Sequence, residues 1–498
     1  MKKIITFILA ILLAGGLSSC GKEDASQETV KNTVKKDTQD SAVTAEDIKS
    51  QEDEKAQETE DDPSLYLSYY SPVSLCYAGE GMVAFEVNNK VKYALSYSSI
   101  TKTYTNWGYA DITGKVVIPP SYAEEDEEMQ TFNNGAIMKK SSNGTKILYN
   151  TKGEMIADFS AYDAVGEVSD GMFWVYKVER SVSGNVGSIA YFDVSGKEMI
   201  PFHKGWKVLN YYSNSSEGYH SNFRNGLALV FTENGRKLIN AKGEYVTLNL
   251  MNGDDTFNNS ANITPMEICS YDTTDKYIIV KLATDVTSDT GKTYKHQKST
   301  VGIVDSQGNT WLLDTETKTG YDSRYLISMG NDDYSMSDGT VNFFDGNHCS
   351  IAYYSADGNM MLDSYRLPCL TGNNSDIYNG NIYSGNFSEG AACLRVTNSA
   401  KECYACVVDK NGELLFDSLY NVDLAFYGKT LLKDIAEYHD GLCPARNMQT
   451  GKWGYLDKGG SWAIEAQYDS AGNFCDGYAI VNSCGIIDTA GNIVLTCD

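Results

Sequence analysis

One phrase recurs along this chain from about residue 80 to the last residue, and it restricts the fold more than any other feature. Its fullest copy runs from Trp107 to Tyr122 and opens Trp107-Gly108-Tyr109-Ala110-Asp111-Ile112-Thr113-Gly114. It returns as Trp453-Gly454-Tyr455-Leu456-Asp457-Lys458-Gly459-Gly460, continues to Ile464 and closes on Tyr468-Asp469. A phrase repeated in this way marks one small supersecondary unit copied many times, each copy too small to bury its apolar face alone.

Two shorter signals alternate within the repeats. The first is a polar residue followed by Gly and then by an apolar run. It occurs at Glu80-Gly81, Asn134-Gly135, Asp170-Gly171, Asn225-Gly226, Glu389-Gly390, Asp440-Gly441 and Asp476-Gly477. The pair supplies a turn, and runs such as Leu227-Ala228-Leu229-Val230 and Tyr478-Ala479-Ile480-Val481 supply strands buried on both faces. The second signal is a strand, an Asp, Asn or Ser, two variable residues, a Gly, and another strand. It pairs Asp111 with Gly114, Asn150 with Gly153, Asp193 with Gly196, Asn240 with Gly243, Asp305 with Gly308, Ser355 with Gly358, Asp409 with Gly412, Asp457 with Gly460 and Asp488 with Gly491. This is hairpin grammar. The Asp or Asn oxygen accepts a backbone N–H two residues on, and the Gly takes the positive φ that a type I turn closing on a bulge requires. Pro119 and Pro201 are then expected to stop the second strand. The Gly after Trp leaves room for an indole ring or a neighbouring backbone.

These residues resemble the WG-repeat family, a set of bacterial β-repeat proteins. The resemblance covers most of the chain from about residue 80 and is strongest at Trp107 to Tyr122 and Trp453 to Asp469. It implies an all-β array and supplies no catalytic residue. About nine units can be counted. They must stack, either radially as a β-propeller or linearly as an open curved β-solenoid. The terminal hairpin Gly485 to Val494 and a lone first strand, Gly81 to Val87, favour the propeller, because that strand can complete a blade. Asn252 to Ala261, Thr284 to Gln297 and Gly372 to Gly385 read as long polar loops. The nearest approach to a helical pattern in this region is the short Leu431 to Tyr438.

The N-terminus sets an expected location. Lys2 and Lys3 precede an apolar run, Ile4 to Leu13, too short to span a bilayer comfortably. It leads to Leu17-Ser18-Ser19-Cys20-Gly21, which resembles the lipobox of bacterial lipoproteins and implies lipidation of Cys20. Residues 1–20 are thus expected to be a signal peptide. Residues 21–64, acidic and without an aromatic residue until about Pro63, are expected to be a disordered tether, and 65–498 the repeat domain. The reading puts the protein on the extracytoplasmic face of a bacterial cell membrane, attached through Cys20.

A net charge of -25 makes nucleic acid a poor partner. Setting Cys20 aside, an odd number of cysteines remains, which does not make a complete disulfide framework. Most, such as Cys393 and Cys443, sit in strand-like phrases where cysteine acts as a small buried hydrophobe. Cys403-Tyr404-Ala405-Cys406 has redox or zinc spacing but no second pair. The histidines His203, His220, His296, His348 and His439 lack ligand spacing, and Asn331-Asp332-Asp333 and Gly253-Asp254-Asp255 lack that of a calcium loop. No metal or cofactor is expected, and no catalytic residue is assigned. Asp111, Asp193, Asp305, Asp409, Asp457 and Asp488 recur at one place in the unit, which argues for structural capping, since an active site is usually unique. Tyr211, Tyr212, Tyr219, Tyr321, Tyr325, Tyr334, Tyr378 and Tyr383 lie in or near loop-like segments and suit sugar or peptide contact. The expected function is a binding scaffold for a glycan, a cell-wall polymer or a protein. The alternative is an envelope hydrolase acting on polysaccharide through carboxylates at one end of the array.

Overall fold

The computed structural model describes residues 62–497 apart from 95–98, 142–143, 208–220, 253–262, 272–275, 288–292, 314–332, 346–349, 364–381, 398–402, 417–418, 425–434 and the single positions 125 and 183. The leader, Cys20 and the expected tether up to 61 lie outside the described residues, as do the acidic triplet at 253–255, Asp332 and six of the eight loop tyrosines. Contacts divide the chain into two units, 1–62 and a second over 63–498 that carries the repeats. Among the described residues it is all-β, with two short 3-10 turns, Pro63–Leu65 and Leu67–Tyr70, and no α-helix. No helix among them is long and apolar enough to cross a membrane.

Among the described residues the strands form nine sheets, numbered in chain order over 74–118, 136–158, 164–204, 227–240, 249–312, 333–363, 382–420, 422–468 and 478–496. Each is an antiparallel meander with strands side by side in chain order. The exception is sheet 5, where Asn249–Leu250 adds in parallel to the edge strand Asn309–Leu312. Sheet 1 is typical. Ser74–Tyr77 pairs with Met82–Ala94, that strand with Ser99–Asp111, and that one with Val116–Ile118.

The core lies between sheets. Ile137 of sheet 2 packs with Ala84 and Tyr109 of sheet 1, and Met138 and Leu148 pack with Phe173 of sheet 3. The same arrangement continues round to sheet 9, whose Ile486 packs with Val83, Phe85 and Ala110 of sheet 1. The ring is therefore closed, as in a β-propeller, and the solenoid alternative is set aside. Closure does not use a lone strand. Met82–Ala94 already pairs with Ser74–Tyr77, so sheet 1 is complete in itself and joins sheet 9 face to face. A backbone bond from the Leu75 N–H to the Ser483 oxygen (2.8 Å) adds to the seam.

The turns behave as hairpin chemistry demands. Asn134 and Gly135 have φ of 52° and 83°, the pair of positive angles of a two-residue type I′ turn, and Asn133 and Ala136 exchange backbone bonds across it. At Asp111 the Gly114 N–H donates to the Asp111 oxygen (2.9 Å) and the register shifts by one residue between Tyr109 and Ala110, so the turn ends on a bulge. Leu227, Ala228, Leu229 and Val230 are all fully buried, as expected of a strand covered on both faces, whereas Tyr478–Val481 is buried only at alternate residues.

Three expectations about local structure fail. Pro119 does follow the strand Val116–Ile118, but Pro201 lies inside Glu198–Lys204. That strand is the outer edge of sheet 3 and is paired irregularly, so the missing N–H costs no ladder bond. The described parts of Thr284 to Gln297, residues 284–287 and 293–297, are strand rather than loop. Their β-branched residues extend the hairpin Tyr277–Thr287 and Thr293–Asp305. The end of the segment from Gly372 belongs to Ile382–Ser388. The described part of 431–438, residues 435–438, is not helical.

The Gly of each Trp-Gly pair is required by space. Gly108 faces Phe85 across the ladder, and a Cβ there would lie 2.2 Å from the phenyl ring. The neighbour is thus a phenyl rather than an indole. At Gly454 a Cβ would lie 2.5 Å from the Ile464 oxygen and 2.7 Å from the Ala466 nitrogen, where the adjacent strand bulges inward. Gly454→Ala is expected to cost about 3 kcal/mol by overpacking against backbone. Gly441→Ala, at φ 78° with open space around it, is expected to cost about 1 kcal/mol from the left-handed backbone alone. Urea unfolding of the two variants checks that order.

Candidate interaction surface

The recurrent Asp and Asn side chains, with Ser355 in sheet 6, lie at one end of their sheets. In sheet 1 the strand Met82–Ala94 starts, and Ser99–Asp111 finishes, at the same end, since Met82 pairs with Asp111. The polar-Gly turns and the Asp-x-x-Gly turns therefore share a face of the ring. There the carboxylates are committed to their own backbone. Asp111 Oδ1 accepts from the Thr113 and Lys115 N–H groups (2.9 and 3.1 Å). Asp193 accepts from Ser195 and Lys197, Asp305 from Gln307 and Asn309, Asp409 from Asn411 and Glu413, Asp457 from Gly459 and Ser461, and Asp488 from Ala490 and Asn492. Asn150 and Asn240 make the same two bonds. In the Ser355 copy the Asp357 carboxylate takes the serine hydroxyl instead. The glycines Gly114, Gly196, Gly308, Gly412, Gly460 and Gly491 all have positive φ.

The polar-Gly turns link neighbours. Glu80 accepts from the Gly135 N–H (2.9 Å), Asp170 from Gly226 (2.8 Å), Glu389 from Gly441 (3.1 Å) and Asp440 from Gly477 (2.8 Å). Asp338-Gly339, which the sequence reading missed, belongs to the same series, with Asp338 accepting from Gly390 (2.9 Å). At the seam the Tyr77 hydroxyl acts as an adaptor. It donates to Asp476 (2.5 Å) and accepts from the Gly81 N–H (2.9 Å). Lys410 and Lys458 reach back to Asp338 and Glu389 of the preceding sheet (3.1 and 2.9 Å). Among the described residues no group of three or more His, Cys, Asp or Glu is placed to hold a metal ion.

The opposite end carries different chemistry. The hairpin of sheet 1 is 13 residues on each side, against 5 in Ala136–Lys140 of sheet 2. At ~3.3 Å per residue the difference extends it by about 25 Å. The extension is braced along one side. Asn89 Nδ2 donates to the Tyr122 and Ala123 oxygens (2.8 and 2.9 Å), and the Thr105 N–H donates to Asp126 (2.8 Å). The Tyr93 and Tyr104 hydroxyls are 2.8 Å apart, and Tyr93 donates to Glu124 (2.7 Å). At its base the buried Glu127 accepts from the Trp107 N–H (3.0 Å) and the Ser121 hydroxyl (2.6 Å), and Lys139 donates to the Trp107 oxygen (3.0 Å). The other face of the ladder is exposed, with Lys90 and Lys92 opposite Thr103 and Thr101, while the exposed Lys102 pairs with Val91 on the tyrosine face, its ammonium 5.8 Å from the centre of the Tyr93 ring. A second aromatic group lies at the junction of sheets 3 and 4. His203 stacks on Trp206 at 4.3 Å, and Trp206 Nε1 donates to the half-exposed Tyr245 (3.0 Å). The sequence reading found neither group. Most of the bracing contacts join residues twenty or more positions apart.

Of the expected tyrosine surface, Tyr383 is buried beside Arg395, and Tyr334 falls in the strand Asp333–Ser337. Cys406 is buried in Cys403–Asp409. His439 lies 3.5 Å from Glu437. A disulfide joins Cys484 to Cys497 and ties the last strand to the hairpin beside the seam.

Several turn carboxyls titrate low. At Asp193 burial works upward, but the Ser195 hydroxyl and the Lys197 and Ser195 N–H groups outweigh it and hold the carboxyl below its usual range. Asp409 is held low against burial by the Glu413 and Asn411 N–H groups, and Glu389 by the Lys458 ammonium. A depressed folded pKa contributes stability that is complete above the unfolded value near ~4 and is lost as pH falls through the folded value. The unfolding midpoint is therefore expected to fall below about pH 4. Asp193→Asn keeps the two N–H bonds, as Asn150 does, and should flatten this acid limb while changing neutral stability by less than ~1 kcal/mol. Urea titrations at pH 3 and pH 7 check both outcomes.

Comparison with known proteins agrees with this geometry. Three segments, 107–138, 148–177 and 453–483, match the family described as WG containing repeat. No curated protein matches the chain. Among solved structures, apo AztD from Citrobacter koseri is similar at 10% identity and TM-score 0.30, over 68% of this chain and 83% of that one. KlHsv2 with loop 6CD replaced by a Gly-Ser linker gives 10% and 0.29, over 67% and 91%. Uncomplexed Pyrococcus horikoshii acylaminoacyl peptidase gives 10% and 0.28, over 68% and 52%. At these scores the structural likenesses carry no argument. The repeats speak for themselves: this chain carries WG containing repeats on an all-β propeller ring.

Proposed function

We propose that this protein is an extracytoplasmic interaction scaffold, held at a bacterial membrane by lipidated Cys20 and an acidic tether over 21–64, with a glycan, a cell-wall polymer or a protein as its ligand. One observation carries the reading. The repeated carboxylates are spent on their own turns, while the long hairpin of sheet 1 presents a braced tyrosine pair and three exposed lysines on a chain of net charge -25. Tyrosine offers an apolar face and a polar tip at low entropic cost, and lysine selects for anionic groups. Anionic polysaccharides and acidic protein segments fit that chemistry.

The test is binding by the unit from residue 63, on glycan arrays, on isolated cell-wall polymer and in envelope pull-downs. Binding to one class is expected, weakened at least about tenfold, roughly 1.4 kcal/mol, by Lys90→Glu with Lys92→Glu, and with unfolding unchanged. Hydrolytic release of sugar from envelope polysaccharide would instead support the hydrolase. Attachment is tested separately: Cys20→Ser should abolish incorporation of a fatty-acid analogue and move the protein to the soluble fraction.

A further inference from the structure

We propose that Cys393 and Cys443 form a disulfide between sheets 7 and 8. Cys393 lies in the strand Ala391–Thr397 and Cys443 opens the strand Cys443–Asn447. Their sulfurs are 3.4 Å apart, in van der Waals contact across the junction. Both side chains are sealed, at 1% and 0% exposure, among apolar groups that include Leu394, Tyr438, Ala445 and Leu456. Both are free thiols as they stand, and bonding would bring the sulfurs to about 2.05 Å. A second observation points the same way. The chain already carries the Cys484–Cys497 bridge, so it folds with thiol oxidation available to it. The inference does not depend on the proposed function.

The chemistry balances against a small-molecule disulfide as oxidant. One cysteine, as thiolate, attacks that disulfide, forms a mixed disulfide and expels one thiolate. The second cysteine then attacks the protein-bound sulfur and expels the other. Two thiol protons and two electrons leave the protein, and the oxidant departs as two thiols. Burial pushes the Cys443 thiol up, so in the finished ring it is neutral and unreactive. The exchange therefore belongs to folding, before sheets 7 and 8 close on each other. Once formed, the bond is shielded from reductants.

The experiment is refolding of the full chain from denaturant with a mixture of reduced and oxidised glutathione, followed by alkylation in denaturant and peptide mapping without reduction. The expected result is a cross-linked peptide pair containing Cys393 and Cys443, about 2 Da lighter than its two thiols, in addition to the Cys484–Cys497 pair. Complete alkylation of both Cys393 and Cys443 in protein whose Cys484–Cys497 bridge has formed would overturn the proposal. So would their bonding only to other cysteines, such as Cys406. Stability provides the second readout. Oxidatively refolded protein is expected to melt about 5 °C above Cys393→Ala/Cys443→Ala refolded alongside it, and an equal melting temperature would count against the bond. The mapping uses the native sequence, so it decides the question even if the variant fails to fold.

Discussion

Everything in the ring depends on how closely each Asp-x-x-Gly turn sits on the sheet before it. At Gly153 a Cβ would lie 1.8 Å from the Val117 oxygen at the outer edge of sheet 1. At Gly358 it would lie 2.3 Å from the Leu312 oxygen of sheet 5, and at Gly308 2.2 Å from the Thr247 oxygen. The same contact continues against side chains, with Gly412 on Leu362 and Gly460 on Phe416. It returns to its origin with Gly114 on Leu495 of the last sheet. The glycine thus performs two tasks with one missing atom. It lets the hairpin bend, and it allows the next sheet to approach to packing distance, where burial of the leucines, valines and aromatics between sheets stabilises the whole. The carboxylate beside it supplies the bonds that hold the bend in shape.

Around the same end, the polar-Gly turns at Glu80, Asp170, Asp338, Glu389 and Asp440 each make a charge-assisted bond to the next sheet, and such bonds are stronger than neutral ones. The arrangement gives the acidic residues that recur there a structural use: each of these carboxylates accepts at least one backbone N–H at a turn. It also explains why Tyr77 matters. Its hydroxyl both donates and accepts, so it bridges Asp476 to the Gly81 N–H at the one junction where the two ends of the ring meet.

Much of this was legible in the residues. The repeat phrase, the turn chemistry and the all-β class follow from local rules, and local rules operate over a few positions. Asp111, Gly114, Asp457 and Gly460 were readable because each acts on residues within four places of itself. What escaped was non-local. The Phe85 ring over Gly108, the Glu127–Trp107–Lys139 brace and the pairing of Cys484 with Cys497 join residues whose proximity exists only after the sheets assemble. Pro201 escaped for a related reason: whether a proline ends a strand depends on whether that strand is an edge, and edge status belongs to the sheet rather than to the sequence around the proline.

The junction of the last sheet with the first is built from the same parts as the junctions between successive sheets: an apolar layer, a turn glycine seated on an outer strand, and a polar bond at the inner turns. The apolar layer is continuous across this junction, so a rewired chain, opened between two other neighbours and spliced across this one, would meet the same apolar contacts along its path.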